Sequence, residues 1–262
     1  MNVFIIIPSN IFSDIPSLRE KTVRVANLVR TLILFRVRQV VIFKYKERDD
    51  EFLKLMDFFR TPSYLRRYAF KKEKVFRFVG NAPPIRAFYE EDKKYRYGIV
   101  LKNDGKLCLI NSGLKDLIVL SGVNVAEGQL MKLVNDANGW RLATKEEDHH
   151  FGFNTFYTDD LIGFLFKMKT EKKLIIATSR YGKTFRTEDL MNLKRDSRIE
   201  KGICLLFGSP KEGLFEIFKS MNRELSDYVD HVFNMFPNQG VKTIRTDEAI
   251  MGTLSIINLI SS

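Results

Sequence analysis

Two hydrophobic rhythms share this chain. Near the start, Val3–Ile7 is a short β-branched run stopped by Pro8, the pattern of a buried strand. Ser17 predicts the N-cap of a helix reaching about Phe35. Its Val25, Leu28, Val29 and Leu32 fall on one face, with Arg19, Lys21, Arg24 and Arg30 largely off it. "QVVIFKY" follows as a second strand and Glu51–Arg60 as a second helix. Strand, helix, strand in that order predicts a parallel sheet with a right-handed crossover.

Gly80, Pro83 and Pro84 then punctuate the chain, and beyond them the period shortens to two. "YGIVLKNDGKLCLI" predicts a hairpin with a type I′ turn at Asp104-Gly105. "DLIVL", "GQLMKLV" and "WRLAT" add short strands between "SGVN" and "NDANG" turns, which together predict a small β-barrel. The helical rhythm returns after Asp148. "GFNTFYT", "KLIIATS", "GICLLFG" and "YVDHVFNMF" read as strands, and "DDLIGFLFKM" and "PKEGLFEIFKSM" as helices, the latter with Pro210 at its first position. A closing helix begins near Thr246 and is apolar almost all round, so it is expected in the core and at an interface. The class expected is α/β: residues 1–83 and 149–262 form one discontinuous parallel-sheet domain, and 84–148 an inserted β-barrel.

Charge adds a partner. Lys and Arg outnumber Asp and Glu by 43 to 32 in 262 residues, a net charge of +11, which favours RNA or DNA. Arg66, Arg67, Lys71, Lys72, Lys74 and Arg77 are interleaved with Tyr64, Tyr68, Phe70, Phe76 and Phe78, pairing cations for phosphates with rings for bases. Arg36 and Arg38 extend that patch, and the barrel is a candidate single-strand-binding face. The phenylalanines read equally well as core. Cys108 and Cys204 have no metal or redox spacing and suggest a reducing compartment. His149 and His150 are adjacent and His231 is distant, so no metal site is expected, and the adjacent pair reads as a surface loop. The opening lacks a positive n-region and no apolar run reaches the ~18 residues of a membrane span. A cytoplasmic protein is expected, with no membrane partner.

Three loops follow strands of the C-terminal half: "ATSRYGKT", "GSPKEG" and "PNQG". In an open parallel sheet ligands bind beyond the carboxyl ends of strands, so all three could face one crevice. Each alone reads equally as a routine strand–helix turn. None is a Walker A or G-x-G-x-x-G sequence, which argues against nucleotide hydrolysis and against a Rossmann oxidoreductase.

"LLFGSPKEGL" followed by "NMFPNQGVKTIRTDEAIMGTLSIINL" resembles the C-terminal signature of the SPOUT superfamily of methyltransferases. The closer likeness is to its archaeal and eukaryotic RNA methyltransferases with an inserted oligonucleotide-binding-like barrel, whose opening "VFIIIPSNIF" and "TPSYLRRYAF" are similar to. That resemblance, and no spacing in the chain, implies a C-terminal trefoil knot, a homodimer joined through the knot and closing helix, and S-adenosylmethionine as cofactor. It implies cofactor contacts from Ser179 and Tyr181 in the first loop and from Gly208, Ser209 and Gly213 in the second. Asn234, Met235, Phe236, Gln239, Gly240 and Thr246 complete the set. Tyr181 stands where an Arg is common, which makes Arg180 the substitute. Arg180, Asn234 and Arg245 are the catalytic candidates. Asp247 and Glu248 could act as bases, though acidic residues in a first helical turn also answer to the helix dipole. No base stands out, so the rival expectation is a non-catalytic RNA-binding or ribosome-assembly factor keeping the fold.

Overall fold

The computed structural model describes residues 2–261, with the side chains of Phe88, Tyr89, His149, His150 and Ser261 outside what is described. The surface-loop expectation for His149 and His150 therefore lies outside the described residues. β1 (Val3–Pro8) leads to α1 (Leu18–Leu34), whose Ser17 hydroxyl accepts from the Glu20 amide at 3.3 Å, as an N-cap should. β2 (Gln39–Phe43) leads to α2 (Asp50–Arg60), capped by Asp49. Short turns including α3 (Arg66–Ala69) and α4 (Phe88–Glu91) connect to five strands: β3 (Tyr95–Asn103), β4 (Leu107–Asn111), β5 (Ile118–Ser121), β6 (Leu130–Asp136) and β7 (Gly139–Leu142). β8 (Asn154–Thr158), α5 (Leu161–Thr170), β9 (Leu174–Thr184), α6 (Thr187–Arg195), β10 (Ile203–Leu206), α7 (Leu214–Ser220), β11 (His231–Asn234) and α8 (Thr246–Ile257) complete the chain.

Two sheets result. The first is wholly parallel, in the order β11-β9-β10-β1-β2-β8. Its strands read as continuous apolar runs because both faces are covered: Ile5, Ile7, Val40 and Ile42 point to one core, and Ile6, Val41 and Phe43 to the other. The second is antiparallel, in the order β5-β4-β3-β6-β7, curled around Val100, Cys108, Ile110, Ile118 and Leu133. Its edges β5 and β7 approach within 8 Å without pairing, so the barrel stays nearly closed.

Two expectations need correction. The Asp104-Gly105 turn is not type I′, since only Gly105 of the pair has a positive φ (+85°). Instead the Asp104 carboxylate accepts from the Lys106 and Leu107 amides at 2.9 and 2.8 Å. Pro210 does not open α7; Gly213 is its N-cap and Pro210 lies in the preceding loop. The sequence pattern missed α6, where few apolar positions recur and only Asp189 and Leu193 are buried. The closing helix buries one side through Ile250, Thr253, Leu254 and Ile257 and leaves Met251 41% exposed.

The barrel is packed onto the parallel-sheet core. Tyr97 and Ile99 of β3 belong to the same cluster as β1, α1 and α2. Tyr64 is the joint: its hydroxyl donates to the Tyr97 carbonyl at 3.2 Å, Arg96 lies 4.6 Å above its ring, and Gly113 (φ +73°) passes so close that a Cβ there would stand 2.4 Å from it. Burial pushes the Tyr64 phenol up to about 12, so it remains a donor across the ordinary pH range.

Candidate functional site

The first loop is built into a strand. Val232 of β11 pairs with Ala177 of β9, but the next residue, Phe233, pairs with Lys183, so 178–182 leave the ladder as one excursion. Gly182 makes the return possible, because a Cβ there would lie 2.7 Å from the Val232 carbonyl oxygen. The Thr178 hydroxyl ties the start of the excursion to the Leu206 carbonyl of β10 at 3.2 Å.

The second loop, between β10 and α7, closes on itself. The Ser209 amide donates to the Glu212 carbonyl at 2.9 Å, and the Glu212 amide donates to the Ser209 hydroxyl at 3.0 Å. The third loop starts from Asn234, whose Oδ1 accepts from the Phe236 amide at 2.9 Å while its Nδ2 donates to the Arg180 carbonyl at 3.1 Å. The Thr246 hydroxyl then donates to the Gly208 carbonyl at 3.1 Å. Asn234 thus joins the first loop to the third, and Thr246 joins the second to α8.

Between them is a cleft of about 220 Å³. Ser179, Arg180, Tyr181, Gly208, Ser209, Gly213, Asn234, Met235, Phe236, Gln239 and Thr246 all line it. Gly240 and Arg245 do not line it. A Cβ on Gly240 would meet nothing within 4 Å, so this glycine is not the close-approach position its place in "PNQG" suggested. The close approach is at Gly252 of α8, where a Cβ would stand 2.4 Å from the Phe236 ring. Sequence reasoning treated α8 as a greasy core helix and overlooked that its glycine seats the ring at the cleft.

Lys211, Glu212, Glu216 and Lys242 also line the cleft and were missed as site residues. Their signal was position alone, inside or next to the glycine-bounded loops. Glu212 accepts from the Tyr45 hydroxyl at 2.9 Å and from the Lys46 ammonium at 2.5 Å, so the β2–α2 loop braces the second loop. Lys46, then Tyr45, holds the Glu212 carboxyl below the usual carboxylate range. Arg180 is exposed, lies 4.7 Å from the centre of the Tyr181 ring and donates to its hydroxyl at 2.7 Å.

Asp247 and Glu248 have structural work. Glu248 accepts from the Arg245 amide at 2.9 Å, capping α8, and Asp247 accepts from Arg24 Nε of α1 at 3.1 Å. Neither lines the cleft. Among the described residues no group of three or more His, Cys, Asp and Glu could hold a metal ion, and no helix is long and apolar enough to cross a membrane.

The basic segment divides in two. Arg67, Lys71, Lys72, Lys74 and Arg77 are exposed, with Arg67 over the exposed Tyr68 ring at 4.6 Å and Arg77 over Phe78 at 5.3 Å. Arg66 instead donates to the Thr61 and Phe59 carbonyls at 2.9 and 3.1 Å and lies over Phe58. Phe70 and Phe76 pack with Phe58, with centroids 5.3 and 5.0 Å away, so those rings are a local core and not a stacking platform. Arg36 is exposed, whereas Arg38 pairs with Asp148 at 3.0 Å. Of the basic residues singled out from the sequence, the first group and Arg36 are the exposed ones.

Several known proteins are similar to this chain. An uncharacterized protein of Halobacterium salinarum is 25% identical, covering 97% of this chain and 98% of its own length. The human 28S rRNA (uridine-N(3))-methyltransferase is 22% identical, covering 96% of this chain and 76% of that protein. Among solved structures, the SpoU methyltransferase AviRb from Streptomyces viridochromogenes, in complex with AdoMet, aligns with a TM-score of 0.41 at 6% identity; the match covers 98% of this chain and 57% of that one. The family model described as "Putative RNA methyltransferase" matches residues 2–257, nearly the whole chain, and the protein belongs to that RNA methyltransferase family.

Proposed function

We propose that this RNA methyltransferase takes its methyl group from S-adenosylmethionine held in the three-loop cleft and delivers it to a base of ribosomal RNA. The observation that carries the reading is the stitching of three loops, from three adjacent parallel strands, around one cavity by Asn234 and Thr246. The cleft fits such a donor. Met235 and Phe236, with Phe207 beneath, give an apolar wall for an adenine, and the packed second loop presents backbone at Gly208, where a Cβ would lie 3.0 Å from the Glu212 oxygen. Ser179, Tyr181, Ser209, Gly213 and Gln239 would complete the hold, and Glu216 is placed to meet an amino group. The bound donor would supply an electrophilic methyl on a sulfonium, open to in-line attack.

The residues of this chain do the rest. They orient the acceptor and exclude water, which is most of what methyl transfer requires. Arg180 is the residue to orient an acceptor or its phosphate, since it is exposed at the rim and too basic to serve as an ordinary base. Asn234 acts as a positioning residue, because both halves of its amide are spent on loop backbone. Arg245 lies outside the cleft, and its place in catalysis requires contact with RNA and not with the donor. Arg36, Arg67, Lys71, Lys72, Lys74 and Arg77 are proposed to hold the RNA backbone. Uridine N3 is the acceptor to test first, since the human relative bears that name.

The adjacency of β11, β9 and β10 supports a knotted crossing of these loops, and the exposed Met251 side of α8 supports a homodimer through that helix; the cytoplasm is the site of action in this reading. The test is calorimetry with S-adenosylmethionine, then mass spectrometry of nucleosides from ribosomal RNA incubated with protein and donor. Micromolar binding and a new methylated uridine are expected. Absence of donor binding at millimolar concentration refutes the assignment of the cleft.

A further inference from the structure

Each of the three cleft loops brings one cation to the opening. Arg180 comes from the first loop, Lys211 from the second and Lys242 from the third, and all three line the cleft and are exposed. Arg180 engages the ring and hydroxyl of Tyr181. No ion pair or hydrogen bond engages the ammonium of Lys211 or Lys242 among the described residues. Of the two described carboxylates that line the cleft, Glu212 is already engaged by Lys46, which leaves Glu216 to face three cations.

All three stand on backbone that is tied down. The Arg180 carbonyl accepts from Asn234 Nδ2 at 3.1 Å. Lys211 lies inside the turn that Ser209 and Glu212 close on each other, and Glu212 is braced in turn by Tyr45. Gln239 Nε2 donates to the Val241 carbonyl at 2.8 Å and to the Lys242 carbonyl at 3.3 Å. The loops therefore hold the bases of these side chains in place, so that a ligand has only their outer bonds to order.

The methyl donor does not account for them. S-adenosylmethionine bears a sulfonium and an ammonium against a single carboxylate, so its net charge is positive and cations at the mouth repel it. One cation could answer the carboxylate; three exceed it. We propose that Lys211 and Lys242, together with Arg180, grip the phosphates flanking the acceptor nucleotide. This rests on the reading of the cleft as the site of methyl transfer. An arginine fork meets two phosphate oxygens at once, and the lysines add point charges on either loop. With its phosphates held at the mouth, the nucleotide has its base left to enter the cleft. RNA is then held in two places, at the cleft and along the exposed cations of 67–77.

Fluorescence anisotropy with a short single-stranded oligouridylate, read at several salt concentrations, tests the grip. Lys211→Gln combined with Lys242→Gln should flatten the log–log salt slope by about 1.4, two single-strand phosphate contacts at about 0.7 each. Lys211→Arg with Lys242→Arg should keep the wild-type slope. Lys172→Gln with Lys201→Gln should also keep it, since those exposed lysines precede β9 and β10, at the opposite ends of the strands that carry the first two loops. An unchanged slope in the first pair, or equal flattening in the arginine pair or in the 172/201 pair, would overturn the proposal. Calorimetry separates the other oxyanion, the donor carboxylate. In the 211/242 glutamine pair the Kd for S-adenosylmethionine should hold or tighten. A several-fold weaker Kd, with that of 5′-methylthioadenosine unchanged because it lacks the aminoacyl end, would assign the lysines to the donor and overturn the proposal. Should the wild type bind no donor at all, the methyl-transfer reading falls, while the salt slope still decides whether the mouth takes phosphate.

Discussion

Replacing Gly252 with alanine tests whether Phe236 closes the cleft. A Cβ at 252 would stand 2.4 Å from one ring carbon and 2.6 Å from another, where ordinary contact begins at 3.4 Å, so the ring must give by about 1 Å. It cannot do so by sliding its backbone. The Phe236 amide is held by Asn234 Oδ1 at 2.9 Å and its carbonyl by the Gln239 amide at 3.2 Å, so the side chain has to rotate off its seat. Two stability terms oppose each other. Alanine in place of glycine inside a helix gains about 1 kcal/mol, while overpacking costs about 1–3 kcal/mol. The melting temperature should therefore move little, downward if at all. Donor affinity should move much more, because the displaced ring no longer stacks: a loss of about 1.4 kcal/mol is tenfold in Kd. Calorimetry with S-adenosylmethionine and with its demethylated product reads this beside a melting curve. Gly240→Ala is the control, since a Cβ there meets open space, and its Kd should match the wild type. Unchanged affinity in Gly252→Ala with the melt preserved would refute the placing of Phe236 over the donor.

Other perturbations address the joint and the RNA face. Burial alone would raise the Asp148 carboxyl, but Lys132 and Arg38 outweigh it and hold the group below its ordinary 3.8. A depressed carboxyl stabilises the fold above its ordinary value and loses that contribution as pH falls through the depressed one. Fluorescence of Trp140, the single tryptophan and a β7 residue, should thus change only below about pH 4, and Asp148→Asn should show the loosened state already at neutral pH. Converting Lys71, Lys72 and Lys74 to alanine should weaken RNA binding and flatten its salt dependence by about 0.7 per lost single-strand phosphate contact, measured by fluorescence anisotropy at several salt concentrations. Arg66→Ala should lower the melt and leave that slope intact, because its guanidinium is spent on two carbonyls and Phe58.

Why the strands were easier to read than the loops follows from what each depends on. Ile5 and Ile7 face one core and Ile6 the other, so β1 had to be continuously apolar whatever its neighbours. Ser17 caps α1 through an amide three residues away, a partner the local sequence supplies. α6 failed that test, for it is a polar helix with two buried residues whose existence rests on tertiary placement. Pro210 failed for a related reason. It fits the first turn of a helix as well as it fits a loop, and the Ser209–Glu212 turn that decides between them involves both sides of it.

The three-loop cleft takes this dependence furthest. Thr246 bonds to a carbonyl 38 residues away and Asn234 to one 54 residues away. A single chain read by spacing can mark each loop as glycine-bearing, but it cannot show which glycine is crowded. That is why "PNQG" drew attention to Gly240, which has open space, and away from Gly252, which carries the ring. Tyr64 misled in the same way, since an aromatic among arginines reads as a base-stacking residue until Gly113, 49 positions on, is found against its ring. Both errors concern residues whose role is fixed by a close approach from a distant segment. The same reasoning marks Asn234 as the residue to watch among the loops of the cleft. Its Nδ2 is the side-chain donor that ties the Arg180 carbonyl of the first loop to the third, so an aspartate there, lacking a donor, should free that carbonyl and with it the first loop.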